Sequence, residues 1–229
     1  AGLKTAAWSV SGLLADLNGD TFPDLYVVNY LADEDVFRAS CPPGTPSRRP
    51  CGPGDFAAAQ DRVFLNTGDG RFRDVTETSG IASSDGKGLG IVAVDFDGSG
   101  RLDLFVANDT RANFFYRNRP ARERGGLSLE NIAMTSGVAF NAEGEPQGCM
   151  GIAVHDVNGD GKMDLFVTNY IGQPNTLYSW GGESVFLDHT RKRGLYDAGF
   201  SMVGWGTEFL DADLDGHADL LMANGHIAG

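Results

Sequence analysis

The chain has 229 residues with a formal net charge of −13, which is long enough for one large domain. Such acidity argues against a nucleic-acid partner, because phosphate binding requires a basic surface. No apolar run approaches the roughly 20 residues that a membrane-spanning helix requires, so we expect no transmembrane segment.

The first recurring feature in chain order is a nine-residue loop with the pattern D-x-[ND]-x-[DS]-x-x-x-D. It occurs at residues 16–24, 95–103, 156–164 and 211–219. Calcium takes about 6–8 oxygen ligands, and positions 1, 3, 5 and 9 of such a loop can turn side-chain oxygens toward one ion. A single copy would more often be an ordinary turn. Four copies in one register predict up to four bound Ca²⁺ ions.

The predicted ligands are the side chains at positions 1, 3, 5 and 9 and the backbone carbonyl at position 7. In order of position they are Asp16, Asn18, Asp20, Phe22 and Asp24; Asp95, Asp97, Ser99, Arg101 and Asp103; Asp156, Asn158, Asp160, Lys162 and Asp164; and Asp211, Asp213, Asp215, His217 and Asp219. Only Ser99 departs from the carboxylate-or-amide rule, which predicts the weakest calcium binding at the second loop. Because protein oxygens nearly close each shell, the ions are expected to be structural rather than catalytic.

Metal ligation also explains the acidity. The four loops contain 13 aspartates, as many as the net negative charge of the whole chain. Without a cation, the clustered carboxylates of each loop would repel one another and destabilise it.

An EF-hand is the other interpretation of such a loop. It requires a bidentate Glu at position 12 and a helix on each side. Position 12 here is occupied by Val27, Val106, Val167 and Met222. The EF-hand is therefore excluded.

Short apolar runs flank every loop. The runs that follow, at 24–29, 103–108, 164–169 and 219–224, are apolar on both faces and predict strands covered by other sheets on each side. The runs that precede carry a glycine five residues before the first aspartate (Gly90, Gly151, Gly206), or Ser11 in the first copy. Each loop is thus predicted to join two strands of a hairpin.

Two further strands complete each repeat. Residues 61–66, 113–118 and 175–180 align as a third strand, and residues 71–76, 127–132 and 184–187 as a fourth. A Gly-aliphatic pair follows at 80–81, 137–138 and 194–195. Four antiparallel strands per repeat, 32 glycines and no helical period predict an all-β fold, a β-propeller with about three and a half blades.

The predicted repeat units of this single propeller region, 1–229, span about 4–81, 82–138, 139–195 and 196–229, the last being incomplete. Propellers close with about 4–8 blades. We therefore expect the chain to be stable only within a larger propeller, completed by further blades of a parent protein or by a protein partner that covers the open edges.

An insertion at 30–60 separates the second and third strands of the first unit. Its Pro and Gly content forbids a regular element, so it is predicted to be a surface loop. Within it, Cys41 and Cys51 are expected to form a disulfide, with free thiols as the alternative. Cys149, on a predicted first strand, is expected to be an inert core thiol. Disulfide and calcium together favour an extracellular or periplasmic location.

The motifs resemble a known group. Residues 63–76, VFLNTGDGRFRDVT, and the loops followed by D-L-[FY]-V-x-N are similar to the FG-GAP/VCBS repeats of integrin-α-type propellers. Shorter segments narrow the resemblance to the ASPIC/UnbV type, related to the cartilage acidic protein: Cys-Pro-Pro-Gly at 41–44, Gly-Lys-Gly-Leu-Gly at 86–90, Ala-Asn-Asp at 107–109, Cys-Met-Gly-Ile at 149–152, Gly-Trp-Gly-Thr at 204–207 and Asn-Gly-His at 224–226. The chain departs from that type in lacking its C-terminal segment and some repeats. The resemblance implies a secreted calcium-binding propeller, with relatives that serve in adhesion and scaffolding.

Three functions remain open on the sequence: a non-enzymatic interaction or adhesion scaffold, a lectin-like propeller that binds glycans, and a polysaccharide-active enzyme. Catalysis requires a constellation that occurs once, and the single candidates are His155, His189, His226 and the pair Arg48 and Arg49. No nucleophile-elbow or zinc-protease motif accompanies them. The sequence therefore favours the scaffold, with no catalytic residues.

Overall fold

The structure, a computed structural model, describes residues 3, 7–32, 36, 39, 41, 51–81 and 85–226. Its regular elements are the strands β1 (Ser9–Ala15), β2 (Asp24–Asn29), β3 (Arg62–Asn66), β4 (Phe72–Asp74), β5 (Gly88–Val94), β6 (Asp103–Asn108), β7 (Phe114–Arg119), β8 (Ser128–Asn131), β9 (Ile152–His155), β10 (Asp164–Val167), β11 (Thr176–Gly182), β12 (Val185–Asp188), β13 (Val203–Leu210) and β14 (Asp219–Gly225), and the one-turn helices α1 (Thr76–Ser79) and α2 (Ala133–Ser136).

The strands form antiparallel sheets in simple meander order. Three sheets have four strands, β1 to β4, β5 to β8 and β9 to β12, and the last pairs β13 with β14. These are propeller blades, three complete and one half, as the repeat pattern predicted. We refer to them as blades one to four.

The hydrophobic core lies between the blades rather than inside any one of them. Leu104 and Val106 of β6 pack toward blade one, and Phe105 and Ala107 pack toward blade three, because successive side chains of a strand point to opposite faces. Strand β6 is buried along its whole length. This explains the apolar runs on both faces that follow the first three loops. The half blade has a smaller core against blade three, including Phe209.

Glycines let the first strands of neighbouring blades approach one another closely. A Cβ on Gly90 would lie 2.5 Å from the Met150 carbonyl oxygen, and one on Gly151 would lie 2.0 Å from the Trp205 carbonyl oxygen. No side chain fits at either position. Gly90 and Gly151 are therefore packing requirements between blades, whereas a Cβ on Gly206 would meet nothing within 4 Å.

The two one-turn helices were not expected from the sequence pattern. Each follows the fourth strand of its blade and ends on a left-handed glycine, Gly80 at φ 97° and Gly137 at φ 78°. A Cβ on Gly80 would also lie 2.0 Å from the Leu129 carbonyl oxygen of the next blade. The pairs at 80–81 and 137–138 thus mark helix ends, and a single turn is too short to produce a helical period.

The insertion joins β2 to β3, as predicted. Its described residues include a 3-10 turn at Pro53–Asp55, an isolated bridge from Leu31 to Ala58 and the predicted disulfide between Cys41 and Cys51. The expectation that the segment holds no regular element is wrong for that short turn, where a proline occupies a first helical position that needs no N–H donor.

Candidate metal centre

Every aspartate-rich loop joins the first and second strands of its blade, so all four loops lie at the same end of their sheets. In each blade the first strand ends one residue before position 1, and the second strand begins at position 9. The last aspartate is therefore held by strand pairing, while positions 1 to 8 form the turn.

The carboxylate at position 1 organises the backbone of every loop. In the third loop, Asp156 Oδ1 accepts the N–H of Asp160 at 3.0 Å, and its Oδ2 accepts the N–H of Gly161 at 2.7 Å. The equivalent pairs of bonds are made by Asp16, Asp95 and Asp211. These backbone bonds hold the pKa of Asp156 below its usual value. The third loop is therefore preorganised around an ionised aspartate, and the other three loops share its backbone bonds.

The side chains at positions 3 and 5 also accept hydrogen bonds from the loop backbone. The position 3 side chain accepts the N–H of position 5 in all four loops, for example Asn158 Oδ1 from Asp160 at 2.9 Å. In the first, third and fourth loops the position 5 aspartate accepts the N–H of position 7, from Phe22, Lys162 and His217. These bonds fix the side chains at positions 3 and 5 against the loop backbone. Ligation by the position 7 carbonyls stays a prediction.

Residues in the left-handed conformation at positions 4 and 6 let the loop backbone turn this tightly. Gly98 and Gly100 have φ of 73° and 78°, and the glycines of the third loop have nearly the same values. Thr21 occupies position 6 of the first loop at φ 76°, and Leu214 occupies position 4 of the fourth at φ 63°. For both residues this conformation is sterically less favourable than it is for glycine.

The aspartate at position 9 is buried in the first three loops and ties the loop to the third strand. Asp24 accepts the N–H of Asn66 at 2.9 Å and that of Leu17 at 3.0 Å. Burial raises the pKa of Asp24, those two N–H groups lower it, and the nearby charges of Asp20 and Asp16 raise it again. The same causes raise the pKa of Asp164 in the third loop.

The donor set fits calcium in the first, third and fourth loops. Carboxylate oxygens of Asp211, Asp213 and Asp215 lie within 4.8 Å of one another, a spacing that one ion can bridge with bonds of about 2.3–2.6 Å. The first and third loops carry an aspartate, an asparagine and two more aspartates at positions 1, 3, 5 and 9, and positions 1, 3 and 5 accept the same backbone N–H groups. All these donors are hard oxygens, the ligands that calcium prefers.

The second loop keeps the backbone and differs in its side chains. Ser99 replaces the position 5 carboxylate, and the guanidinium of Arg117, on β7, contacts both Asp97 and Asp103. Burial raises the pKa of Asp103 to about 6, an effect that the N–H of Asn118 and the charge of Arg117 reduce. Arg117 was missed by sequence reasoning, because it lies 14 residues beyond the loop on another strand.

The single residues considered for catalysis lie on separate elements. The His155 ring, at the end of β9, stacks on Phe209 with ring centroids 5.4 Å apart, and the His189 N–H donates to the Leu177 carbonyl. His226 follows β14 and is exposed. Arg48 and Arg49 lie outside the described residues. Cys149 is buried, and burial raises the pKa of its thiol to about 12, which makes it unreactive.

A buried polar cluster on the opposite end of the blades was also missed. Lys87 donates from Nζ to the Pro53 carbonyl of the insertion, and the Tyr30 hydroxyl donates to Asp109. Burial lowers the pKa of Lys87, as does the charge of Arg111, while nearby carboxylates raise it. The cluster attaches the insertion to blade two. The signal was present in the Gly-Lys-Gly and Ala-Asn-Asp segments that the resemblance singled out.

Comparison with known proteins identifies the repeat. The family described as FG-GAP-like repeat matches residues 35–106, 95–167 and 156–222. Cartilage acidic protein 1 of Mus musculus and of Homo sapiens are each 28% identical over 158 residues, which is 66% of this chain and 23% and 22% of those proteins. The Xenopus tropicalis protein of the same name is 27% identical over 181 residues, 74% of this chain and 26% of that protein. The chain thus spans about a quarter of the length of these relatives.

Proposed function

The chain belongs to the family of FG-GAP-like repeat proteins, and from that premise we propose that it is a calcium-binding β-propeller that acts as a non-enzymatic scaffold for protein interaction. In this proposal calcium ions bind the aspartate-rich loops and rigidify the hairpins that hold the inner strands. The role of the ions is structural.

The observation that carries the proposal is the repetition of one loop geometry at one end of every blade. Asp16, Asp156 and Asp211 make the same pair of backbone bonds, and hard oxygen donors also occupy positions 3, 5 and 9 of each of these loops. A catalytic centre is needed once per molecule, whereas a structural ion is needed once per repeat. Repetition therefore favours a structural role.

An extracellular or periplasmic location is part of the proposal. The disulfide between Cys41 and Cys51 is typical of oxidising compartments. The names of the relatives, which refer to cartilage, agree with such a location. Among the described residues no helix is long and apolar enough to cross a membrane.

Calorimetric titration of the metal-free protein tests the proposal. Calcium uptake is expected, with Asp156→Asn losing one ion because position 1 organises the whole loop. The matched control is Asp69→Asn, which changes an exposed aspartate in the turn between β3 and β4 without touching any loop. Absence of calcium uptake at millimolar concentration would falsify the proposal.

The scaffold role is tested separately from calcium binding. A glycan array and a screen of polysaccharide substrates, both with calcium present, are expected to show no binding and no turnover. Saturable glycan binding would replace the scaffold by a lectin, and polysaccharide cleavage would replace it by an enzyme.

A further inference from the structure

Blade two carries a buried cation at the place where the other blades are proposed to hold calcium. Arg117 lies directly before Asn118 on β7, and Leu65 and Ser179 have the equivalent positions in blades one and three. The register is fixed by one repeated bond, in which the N–H of the next residue (Asn66, Asn118 or Trp180) donates to the position 9 aspartate at 2.8–2.9 Å. Of the three blades that have a third strand, only blade two has a charged residue here.

The guanidinium points into the loop. Its Nη1 contacts Asp97 Oδ2, its Nε lies 3.4 Å from Asp103 Oδ2, and its Nη2 donates to Ser184 Oγ at 2.7 Å. The Arg117 side chain is only 4% exposed, and Asp103 is fully buried. The cation is thus shared between positions 3 and 9, whose oxygens are two of the predicted calcium ligands.

The position 9 carboxylate of the second loop has a different partner from its equivalents in the other loops. In the first, third and fourth loops its Oδ2 accepts the N–H of position 2, from Leu17, Val157 and Ala212. Asp103 Oδ2 is buried and has no hydrogen-bond partner among the described residues, and it faces Arg117 instead. That oxygen therefore meets the charge of the guanidinium at 3.4 Å, without a hydrogen bond to it or to the loop backbone.

Arg117 also changes the charge at the loop. Ser99 replaces the position 5 carboxylate with a hydroxyl and Asp97 replaces the position 3 amide, so the loop has three aspartates, as many as the first and third loops. Arg117 offsets one of those charges, and calcium here would compete with the buried guanidinium for Asp97 and Asp103. The guanidinium is therefore the departure from the repeat that weakens calcium binding in blade two.

We infer that the guanidinium of Arg117 takes the place of calcium at the second loop, so that the chain binds three ions instead of four and blade two is closed without metal. This inference rests on the proposed function, since it concerns the same set of loops. It revises the expectation of a weak second site to that of a site occupied by a side chain.

Equilibrium dialysis against calcium, with the bound ion counted per chain, tests the inference. The wild type is expected to bind three ions. The double variant Arg117→Leu/Ser99→Asp, which restores the residues of blade one, is expected to bind four. Arg119→Leu is the matched control, because it removes an exposed arginine two residues away on the same strand, and it should leave the count at three.

Two variants assign the count to particular loops. Asp95→Asn changes position 1 of the second loop and should leave three ions, whereas Asp156→Asn changes position 1 of the third loop and should leave two. If the double variant does not fold, as judged by circular dichroism, the wild type and these two variants still decide the matter. Four ions in the wild type, or loss of one ion in Asp95→Asn, overturn the inference alone. Binding of no ion by the wild type overturns the proposed function together with the inference.

Discussion

Blades two and three share their topology and loop backbone but differ in what faces the loop aspartates. In blade three, Asp156, Asp160 and Asp164 have no basic side chain paired with them among the described residues, and the third strand contributes the small Ser179. In blade two, the third strand contributes Arg117, whose guanidinium is buried against two of the loop aspartates.

The loop backbone is the same whether or not a basic side chain contacts the loop aspartates. Position 1 makes the same two backbone bonds beside Arg117 as it does in blade three. The backbone bonds therefore specify the turn, and in blade two the charge of Arg117 favours the ionised form of Asp103. Within one chain, the same loop serves as a candidate metal site and as an internal ion pair.

Calcium removal should have the largest effect on stability, and it distinguishes the loops that are proposed to bind calcium from the second loop. A site at a calcium concentration of about 100 times its Kd contributes about 2.7 kcal/mol to the free energy of unfolding, so three sites contribute on the order of 8 kcal/mol. We expect EDTA to lower the melting temperature markedly. Hydrogen exchange, followed by mass spectrometry, should accelerate in loops 16–24, 156–164 and 211–219.

Loop 95–103 is the internal control of that experiment. Its exchange should change least, because its charge is balanced by Arg117. Equal acceleration in all four loops would remove the distinction between blades two and three. Unchanged exchange everywhere would show that calcium stabilises none of them.

Arg117→Leu should be the most destabilising single change in the loop region. Removing one partner of a buried ion pair leaves uncompensated charge and costs about 3–5 kcal/mol. Arg119→Leu, which breaks an exposed pair with Glu130, should cost less than about 1 kcal/mol. Urea unfolding in EDTA measures both variants. A similar loss for the two would mean that Arg117 is not the cation that balances the second loop.

Much of the repeat could be predicted from local sequence alone. The loop pattern, the strands on each side and the glycine that precedes each loop are short-range signals, and the structure confirms the blades they predict. The pairing of Cys41 with Cys51 is likewise a local signal, and it is confirmed. Each of these features is fixed by residues within about a dozen positions of one another.

Features that depend on contacts between strands were harder to predict. Arg117 reaches Asp97 from 20 residues away and Ser184 from 67 residues away, and nothing near it in the sequence indicates either partner. Lys87 reaches the insertion at Pro53 in the same way. A sequence pattern states which residue occupies a position, but a side chain that crosses between blades is located only when the blades are packed.

The blades also differ in the residue at the start of the third strand, and this difference makes the stability of blade one depend on pH. Asp61 accepts the N–H of Asn29 at 2.8 Å, and Asn113 and Asn175 make the equivalent bond in blades two and three. Burial raises the pKa of Asp61 to about 6, although the Asn29 N–H and the Tyr26 hydroxyl lower it. The folded protein therefore holds this proton more tightly than the unfolded chain does.

Because the folded pKa is the higher one, the stabilising contribution of Asp61 is complete below about pH 4 and is lost as the pH rises through 6. Relative to Asp61→Asn, the free energy of unfolding of the wild type should fall by about 2–3 kcal/mol between pH 4 and pH 7. Urea unfolding at saturating calcium measures this difference. Asn113→Asp should introduce a similar dependence in blade two, and parallel pH profiles for wild type and Asp61→Asn would contradict the prediction.

The smallest expected effect comes from the left-handed positions that are glycine in blades two and three. Leu214 holds φ of 63° in the fourth loop and is 87% exposed, so its side chain contributes little packing. A non-glycine residue in this conformation costs about 1–2 kcal/mol, which the greater flexibility of glycine in the unfolded chain partly offsets. Leu214→Gly should therefore stabilise the protein by about 0.5–1 kcal/mol. Leu214→Ala is the control, since it removes the exposed side chain but keeps the Cβ that causes the strain. If Ala and Gly raise the urea midpoint equally, the gain comes from losing an exposed leucine, and the backbone of the fourth loop is not strained.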